Sequence, residues 1–145
     1  GSEMCIRDRY PGIKQLLRDL IKQGVLCLVA TSKPEIYAKK ILDYYELSNY
    51  FYYIAGANMD GTRTDKAEVI AYALKQIPAE YSNKKVLMVG DRSHDIIGAK
   101  KNGIDCAGVL FGYGSREELE EAGADFVADS VEAVRNIVFL NAAKN

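Results

Sequence analysis

A short apolar run that ends on Gly-Asp constrains this chain more than any other feature. Val86–Val89 is an uninterrupted apolar segment, typical of a strand buried in a parallel sheet, and Gly90 and Asp91 follow it directly. A second carboxylate, Asp95, comes four residues after the first. Parallel α/β proteins bind ligands at the carboxyl ends of their strands. Because Mg²⁺ prefers oxygen ligands, two carboxylates at such a position predict a cation site that serves a bound phosphate.

Strand and helix patterns alternate along the rest of the chain. Apolar runs predict strands at Val25–Ala30, Tyr50–Ala55, Lys85–Val89, Cys106–Leu110 and Phe126–Ala128. Helical spacing and capping signals predict helices at about 13–23, 34–45, 65–76, 95–103, 115–123 and from 130 onward. This alternation indicates an α/β fold, a three-layer Rossmann-like parallel sheet with helices on both faces.

Composition excludes several classes of function. The formal net charge is −1 over 145 residues, which argues against a nucleic-acid-binding surface. No apolar run approaches the ~18 residues that a membrane span needs, so no membrane partner is expected. Cys27 and Cys106 lie in apolar runs and resemble small buried side chains, without the spacing of a zinc site. We therefore expect a cytoplasmic protein.

Residues 1–9 do not fit this pattern. Gly1-Ser2 resembles a cloning scar, and Glu3–Arg9 has neither helical nor strand periodicity. Residues 4–9 resemble the translation of a sequencing-library adapter, although an ordinary disordered terminus is the alternative. We therefore expect one partial domain over 10–145, preceded by an artefact over 1–9.

Two further segments carry side chains suited to binding phosphate. Thr31 and Ser32 end an apolar run just before a helix, where hydroxyls and helix amides can hold a phosphoryl oxygen. Ser32 could equally be the N-cap of that helix, and Asp95 the cap of its own. Lys66 opens a helix although the helix dipole disfavours a cation there, which indicates a nearby anion. A solvated surface lysine is the alternative for Lys66.

These segments together resemble the haloacid dehalogenase superfamily, specifically its phosphoglycolate-phosphatase-like branch. The resemblance runs from about Tyr10 to Leu140 and includes Tyr10-Pro11-Gly12 and Phe111–Ser115. It implies a Mg²⁺-dependent phosphatase (a hydrolase of phosphoric monoesters) whose substrate is a small phosphorylated metabolite. The implied roles are phosphate binding by Thr31, Ser32 and Lys66, with Thr31 and Lys66 also catalytic, and metal binding by Asp91 and Asp95.

The resemblance also implies a first motif, Asp-x-Asp-Gly-Thr, which supplies the nucleophile and the general acid and base. No such strand precedes Tyr10, so we expect a sheet that lacks the family's first central strand. The strands that end at Thr31 and Asp91 would then pair directly, or residues 3–9 or a second copy of the chain would fill the slot. We accordingly expect little activity, weak or no Mg²⁺ binding and a homo-oligomer formed through the incomplete sheet.

Four other interpretations compete with this one. Asn58–Thr62 ends in Asp-Gly-Thr, but Asn58 stands where a nucleophile is needed and the segment follows the second motif, so a turn is expected. His94, the only histidine, is interpreted as a loop residue rather than a general base. The whole chain could instead be a degenerate, non-catalytic phosphate-binding or protein-interaction module. A receiver-like signalling domain is disfavoured, because such a domain needs an acidic pair at an early strand end and this sequence has none there.

Overall fold

The computed structural model describes residues 12–143 of the chain. The predictions for residues 1–9 and for Tyr10-Pro11 fall outside the described residues. The described chain divides into two compact units, with the boundary between Gln76 and Ile77. None of the described helices is long and apolar enough to cross a membrane.

Within residues 12–76, the first unit consists of a two-stranded parallel sheet and three α-helices. Its elements are α1 (Ile13–Lys22), β1 (Leu28–Pro34), α2 (Glu35–Tyr44), β2 (Tyr53–Ala57) and α3 (Lys66–Lys75). Helices α2 and α3 both pack on β1 and β2. The core between α3 and the sheet contains Ala55 and Val69, which are fully buried.

The second unit is a three-stranded parallel sheet in the order β3-β4-β5. Its elements are β3 (Leu87–Gly90), α4 (Ser93–Lys101), β4 (Asp105–Val109), α5 (Arg116–Ala122), β5 (Phe126–Ala128) and α6 (Val131–Ala143). Helix α4 packs on β3 and β4, α5 on β4 and β5, and α6 on β5. Four fully buried side chains form its core: Ile96, Ala99, Cys106 and Leu119.

Local signals set the helix ends largely as the sequence predicts. The hydroxyl of Ser115 accepts a hydrogen bond from the Glu118 amide, and that of Ser130 accepts one from the Ala133 amide, as N-caps do. Asp65 caps α3 in the same way. Gly123 ends α5 with a φ of 100°, a left-handed conformation that glycine adopts without strain.

Both strands of the first unit begin later than the sequence predicts. The Val25 amide donates to the Leu20 carbonyl, so Val25 belongs to the turn that closes α1. Residues Ser48–Tyr50 form a 3₁₀ turn, which delays the next strand until Tyr53. The predictions Val25–Ala30 and Tyr50–Ala55 were therefore wrong by three residues at their starts, because local turns compete for the backbone groups.

Strands β1 and β3 are more exposed than buried central strands. Among the described strands β1 pairs only with β2, and β3 only with β4. The expectation that β1 and β3 pair directly is therefore not met within residues 12–143. Every residue of β1 is at least partly exposed, and the side chain of Val89 in β3 is exposed. The apolar run at 25–30 is only partly buried, as expected for a strand with one described neighbour.

Candidate phosphate- and cation-binding residues

Asp91 follows β3 directly and is enclosed by a glycine-rich loop of the second unit. Its Oδ2 accepts a hydrogen bond from the Tyr113 amide at 2.9 Å, and its carbonyl accepts one from the Gly114 amide at 2.9 Å. A Cβ at Gly112 would lie 2.3 Å from the Cβ of Asp91, so only glycine fits there. The loop after β4 thus holds both the backbone and the carboxylate of Asp91.

Asp95 is buried, with 4% of its surface exposed, and it organises the start of α4. Its Oδ2 accepts hydrogen bonds from the amides of Asp91 and Arg92, at 3.1 and 3.2 Å. A Cβ at Gly90 would lie 2.4 Å from the Cβ of Asp95, so the strand end must be glycine for the carboxylate to fit. The capping role weighed for Asp95 is therefore present, and it joins Asp95 to Asp91.

Glu118 is a member of this cluster that the sequence reasoning missed. Its Oε2 accepts hydrogen bonds from the Ser93 amide at 2.7 Å and from Nε of Arg92 at 2.9 Å. The bond from the Ser93 amide, followed by the bond from Arg92, holds the pKa of Glu118 below its ordinary value. The Ser115–Glu118 spacing predicts only a helix cap, and nothing in the sequence signals a contact 25 residues away.

The cation site implied by the family is incomplete in the described residues. Within residues 12–143 no group of three or more Asp, Glu, His or Cys side chains could hold a metal ion. One oxygen each of Asp91 and Asp95 already accepts backbone amides. The donors present fit a Mg²⁺ ion that retains most of its water, and they do not form a protein-rich site.

Thr31 and Ser32 lie in an irregular segment of β1. Between the pairs Ala30–Ala55 and Pro34–Ala57 the register shifts, so residues 31–33 of β1 stand opposite a single residue of β2. Bulges of this kind re-aim side chains and recur beside active sites. The half-buried Thr31 accepts a hydrogen bond at Oγ1 from the Lys33 amide, 3.2 Å away, and Ser32 is exposed.

The structure decides two alternatives that the sequence left open, one for Ser32 and one for Asn58–Thr62. The N-cap of α2 is Pro34, so the interpretation of Ser32 as a cap was wrong. The interpretation of Asn58–Thr62 as a turn is confirmed by five hydrogen bonds inside it, of which three involve side chains. Thr62 donates to the Asp60 carboxylate from its amide and its hydroxyl, and the Asn58 side-chain amide donates to the Thr62 hydroxyl.

Lys66 is the first residue of α3, as predicted, and it is half-buried. Helix α3 packs on β1, so Lys66 and Thr31 lie on adjoining elements of the first unit. Asp91 and Asp95 belong to the second unit. His94 lies in the first turn of α4 rather than in a loop, with an exposed side chain 3.7 Å from Oδ1 of Asp95.

Parallel sheets with helices on both sides, and polar side chains near the carboxyl ends of β1 and β3, define a Rossmann-like α/β protein. The chain belongs to the haloacid dehalogenase-like hydrolase family, whose model matches residues 6–109.

The relatives of this chain carry different activity names. A 5′-nucleotidase of Pseudomonas aeruginosa is 37% identical over 131 residues, which cover 89% of this chain and 58% of the relative. The tyrosine-protein kinase PtkA of Mycobacterium tuberculosis is 42% identical over 118 residues, covering 81% of this chain and 40% of PtkA. Phosphoglycolate phosphatases of Pseudomonas and Vibrio species are further relatives, which confirms the predicted branch.

Solved structures agree with the fold. The crystal structure of a predicted phosphatase from Clostridium acetobutylicum has a TM-score of 0.82 and 40% sequence identity, covering 90% of this chain. The chain spans 60% of that protein and 58% of the 5′-nucleotidase. It therefore corresponds to somewhat more than half the length of these two relatives.

Proposed function

We propose that this chain is the core of a Mg²⁺-dependent phosphomonoesterase that resembles phosphoglycolate phosphatase and acts on a small phosphorylated metabolite. The observation that carries the proposal is the extent of the family match. Residues 6–109 include all five residues that the sequence assigns to phosphate or cation binding, namely Thr31, Ser32, Lys66, Asp91 and Asp95. The names of the 5′-nucleotidase and phosphoglycolate phosphatase relatives support a phosphomonoester substrate.

Each residue has a role that its position allows. The hydroxyls of Thr31 and Ser32 donate to phosphoryl oxygens, and Lys66 offsets the charge of the phosphate. Asp91 and Asp95 offer carboxylate oxygens to a hydrated cation, which, when bound, supplies the positive charge that phosphate chemistry needs. None of these side chains replaces an attacking carboxylate, so we propose that this chain alone turns over little or no substrate.

A turnover assay tests that proposal. The purified chain is incubated with p-nitrophenyl phosphate and excess Mg²⁺, and released nitrophenol is measured against buffer. We expect no rate above background, because removing a catalytic nucleophile lowers kcat by about 10⁴–10⁶ in other covalent enzymes. A rate above background that Asp91→Asn abolishes would show an active enzyme and contradict the proposal. A Mg²⁺ titration should show weak binding, and tight stoichiometric binding would count against it.

A non-catalytic phosphate-binding module is the second candidate, favoured by the register shift that sets Thr31 apart from the regular ladder. Both candidates require binding of inorganic phosphate, which ³¹P NMR can measure on the chain itself. Lys66→Met should weaken that binding. Lys14→Met is a matched control, since Lys14 is a partly exposed lysine of the same unit that pairs with Glu46. Equal affinities of both variants and the parent chain would refute phosphate binding by Lys66.

Assembly and location complete the proposal. The single strand neighbour of β3 within the described residues, and the exposed Val89 on it, support a homo-oligomer formed through the incomplete sheet. Sedimentation velocity tests this, and a monomer at all concentrations would contradict it. The free thiols of Cys27 and Cys106 support a cytoplasmic location.

A further inference from the structure

Arg63 has an unusual backbone conformation just before the helix that Lys66 opens. Its φ is 52°, in the left-handed region that side chains other than glycine rarely adopt. Such a conformation persists only where surrounding contacts hold it. The turn at Asn58–Thr62 precedes Arg63 directly, so the residue lies between a tight turn and the start of α3.

The contacts that hold Arg63 come from three sides. Its Nε donates to the Gly56 carbonyl at 2.9 Å, and its guanidinium carbon lies 3.7 Å from the centre of the Tyr72 ring. Its terminal nitrogen lies 3.8 Å from Oε1 of Glu35. Only 17% of the Arg63 side chain is exposed. A stacked, paired and mostly buried guanidinium is fixed in orientation, unlike a surface arginine.

The Tyr72 ring is itself fixed. Its hydroxyl lies 3.0 Å from that of Tyr53, and the two rings meet edge to face. This hydrogen bond, followed by burial and the nearby Glu35, raises the pKa of Tyr53 to about 12. Tyr53 therefore stays neutral near pH 7, and its hydroxyl remains beside that of Tyr72 under Arg63.

Gly56 connects these contacts to the irregular segment of β1. It is the residue of β2 that stands opposite residues 31–33. A Cβ there would lie 2.6 Å from the Lys33 carbonyl and 2.7 Å from the Glu35 amide, so the two strands approach closely. The Gly56 amide also points to Oε1 of Glu35, at 3.4 Å. Arg63 and Glu35 thus hold both backbone polar groups of the residue that faces the bulge.

We propose that Arg63 is a positioning residue for the phosphate-binding residues of the first unit. Through Gly56 and Glu35 it ties the loop that leads into Lys66 to the segment of β1 that carries Thr31 and Ser32. The inference rests on the proposed function, because it concerns how that same site is held. Arg63 acts through these residues and is not assigned a contact with phosphate.

We test this by measuring the binding of inorganic phosphate to the whole chain with ³¹P NMR. The temperature is one at which circular dichroism shows that each variant is folded. Arg63→Gln should weaken binding about five- to tenfold through lost preorganisation. Glu35→Gln decides between mechanisms. Removing a negative charge near an anion would strengthen binding by electrostatics alone, whereas loss of the clamp weakens it. We expect weakening of a similar size.

Controls separate this inference from the proposed function. Lys66→Met must weaken binding, and Lys14→Gln, which removes one charge from the partly exposed pair of Lys14 and Glu46, must not. If Lys66→Met weakens binding but Arg63→Gln and Glu35→Gln do not, the positioning role is overturned while the function stands. Stronger binding by Glu35→Gln also overturns it. If Arg63→Gln does not fold, Glu35→Gln decides alone. Wild-type chain that binds no phosphate overturns both.

Discussion

Replacement of Asp95 separates the two roles that this carboxylate could have, as a helix cap and as a cation ligand. Its Oδ2 accepts amides from both Asp91 and Arg92 in a nearly inaccessible position. Asp95→Asn keeps an oxygen of the same shape at that place but removes the charge. Asp95→Ala removes the oxygen as well. The first change tests charge, and the second tests charge and capping together.

The magnitudes follow from the contacts. Asp95→Ala takes the acceptor from two amides beside a helix N-terminus, which costs about 1–3 kcal/mol in the free energy of unfolding. Asp95→Asn loses mainly the attraction between the carboxylate and the helix dipole, about 0.3–1 kcal/mol. The alanine variant should therefore be clearly less stable than the asparagine variant. Both variants should lose whatever Mg²⁺ binding the parent chain has.

Urea unfolding followed by tyrosine fluorescence measures these differences, since the chain has ten tyrosines and no tryptophan. Asp129→Ala is the matched control, because Asp129 is an exposed carboxylate of the same unit. It should lie within about 0.5 kcal/mol of the parent chain. If Asp95→Asn destabilises as much as Asp95→Ala, the cap is not what the carboxylate supplies. If neither destabilises, the two hydrogen bonds do not stabilise the fold.

Three further outcomes follow from the packing. Asp125→Ala should cost about 1–3 kcal/mol at pH 7, because the buried Cys106 amide loses its acceptor. That same hydrogen bond keeps the pKa of Asp125 below its ordinary value of 3.8, so the stabilisation is present above about pH 4 and is lost as pH falls through the lowered pKa. Urea unfolding at several pH values should show the difference shrink, and a constant difference contradicts it. Gly108→Ala would place a Cβ 2.9 Å from Cδ1 of Leu119 and should cost about 1–3 kcal/mol. In the double variant with Leu119→Ala the cost should be less than the sum, and additive costs in urea unfolding would refute this. Burial raises the pKa of Cys27 to about 11, so at pH 8 its alkylation, followed by mass spectrometry, should be about a hundredfold slower than that of a peptide thiol. Equal rates would contradict that expectation.

The fold was predictable where one local signal acts without competition. Phe126–Ala128 and the capped helix before Gly123 lie where the sequence predicts them. The strands were predicted to start too early, at Val25 and Tyr50. Val25 donates its amide to the turn that closes α1, and Tyr50 lies in a 3₁₀ turn, so neither residue is part of a strand. Apolar periodicity describes side chains alone, so it does not predict where a turn forms backbone hydrogen bonds in place of a strand.

The candidate site was predictable only for residues that carry a chemical signature. Asp91, Asp95 and Lys66 stand out because carboxylates follow a strand and a cation begins a helix. Glu118 and Arg63 could not be found in that way. Glu118 accepts a hydrogen bond from the backbone amide of Ser93, and Arg63 donates one to the backbone carbonyl of Gly56. Contacts between a side chain and a distant backbone group leave no pattern in the sequence.

The geometry also gives the two carboxylates a structural role that does not depend on catalysis. Gly90 and Gly112 leave room for Asp95 and Asp91, and both carboxylates accept backbone amides. Losing either would disturb the end of β3 even in a protein that turns over nothing. The presence of Gly-Asp and a following Asp therefore supports membership of the family more strongly than it supports activity. Isosteric Asp91→Asn, which keeps an acceptor for the Tyr113 amide, removes charge while preserving this packing. It is the change that distinguishes a catalytic carboxylate from a structural one.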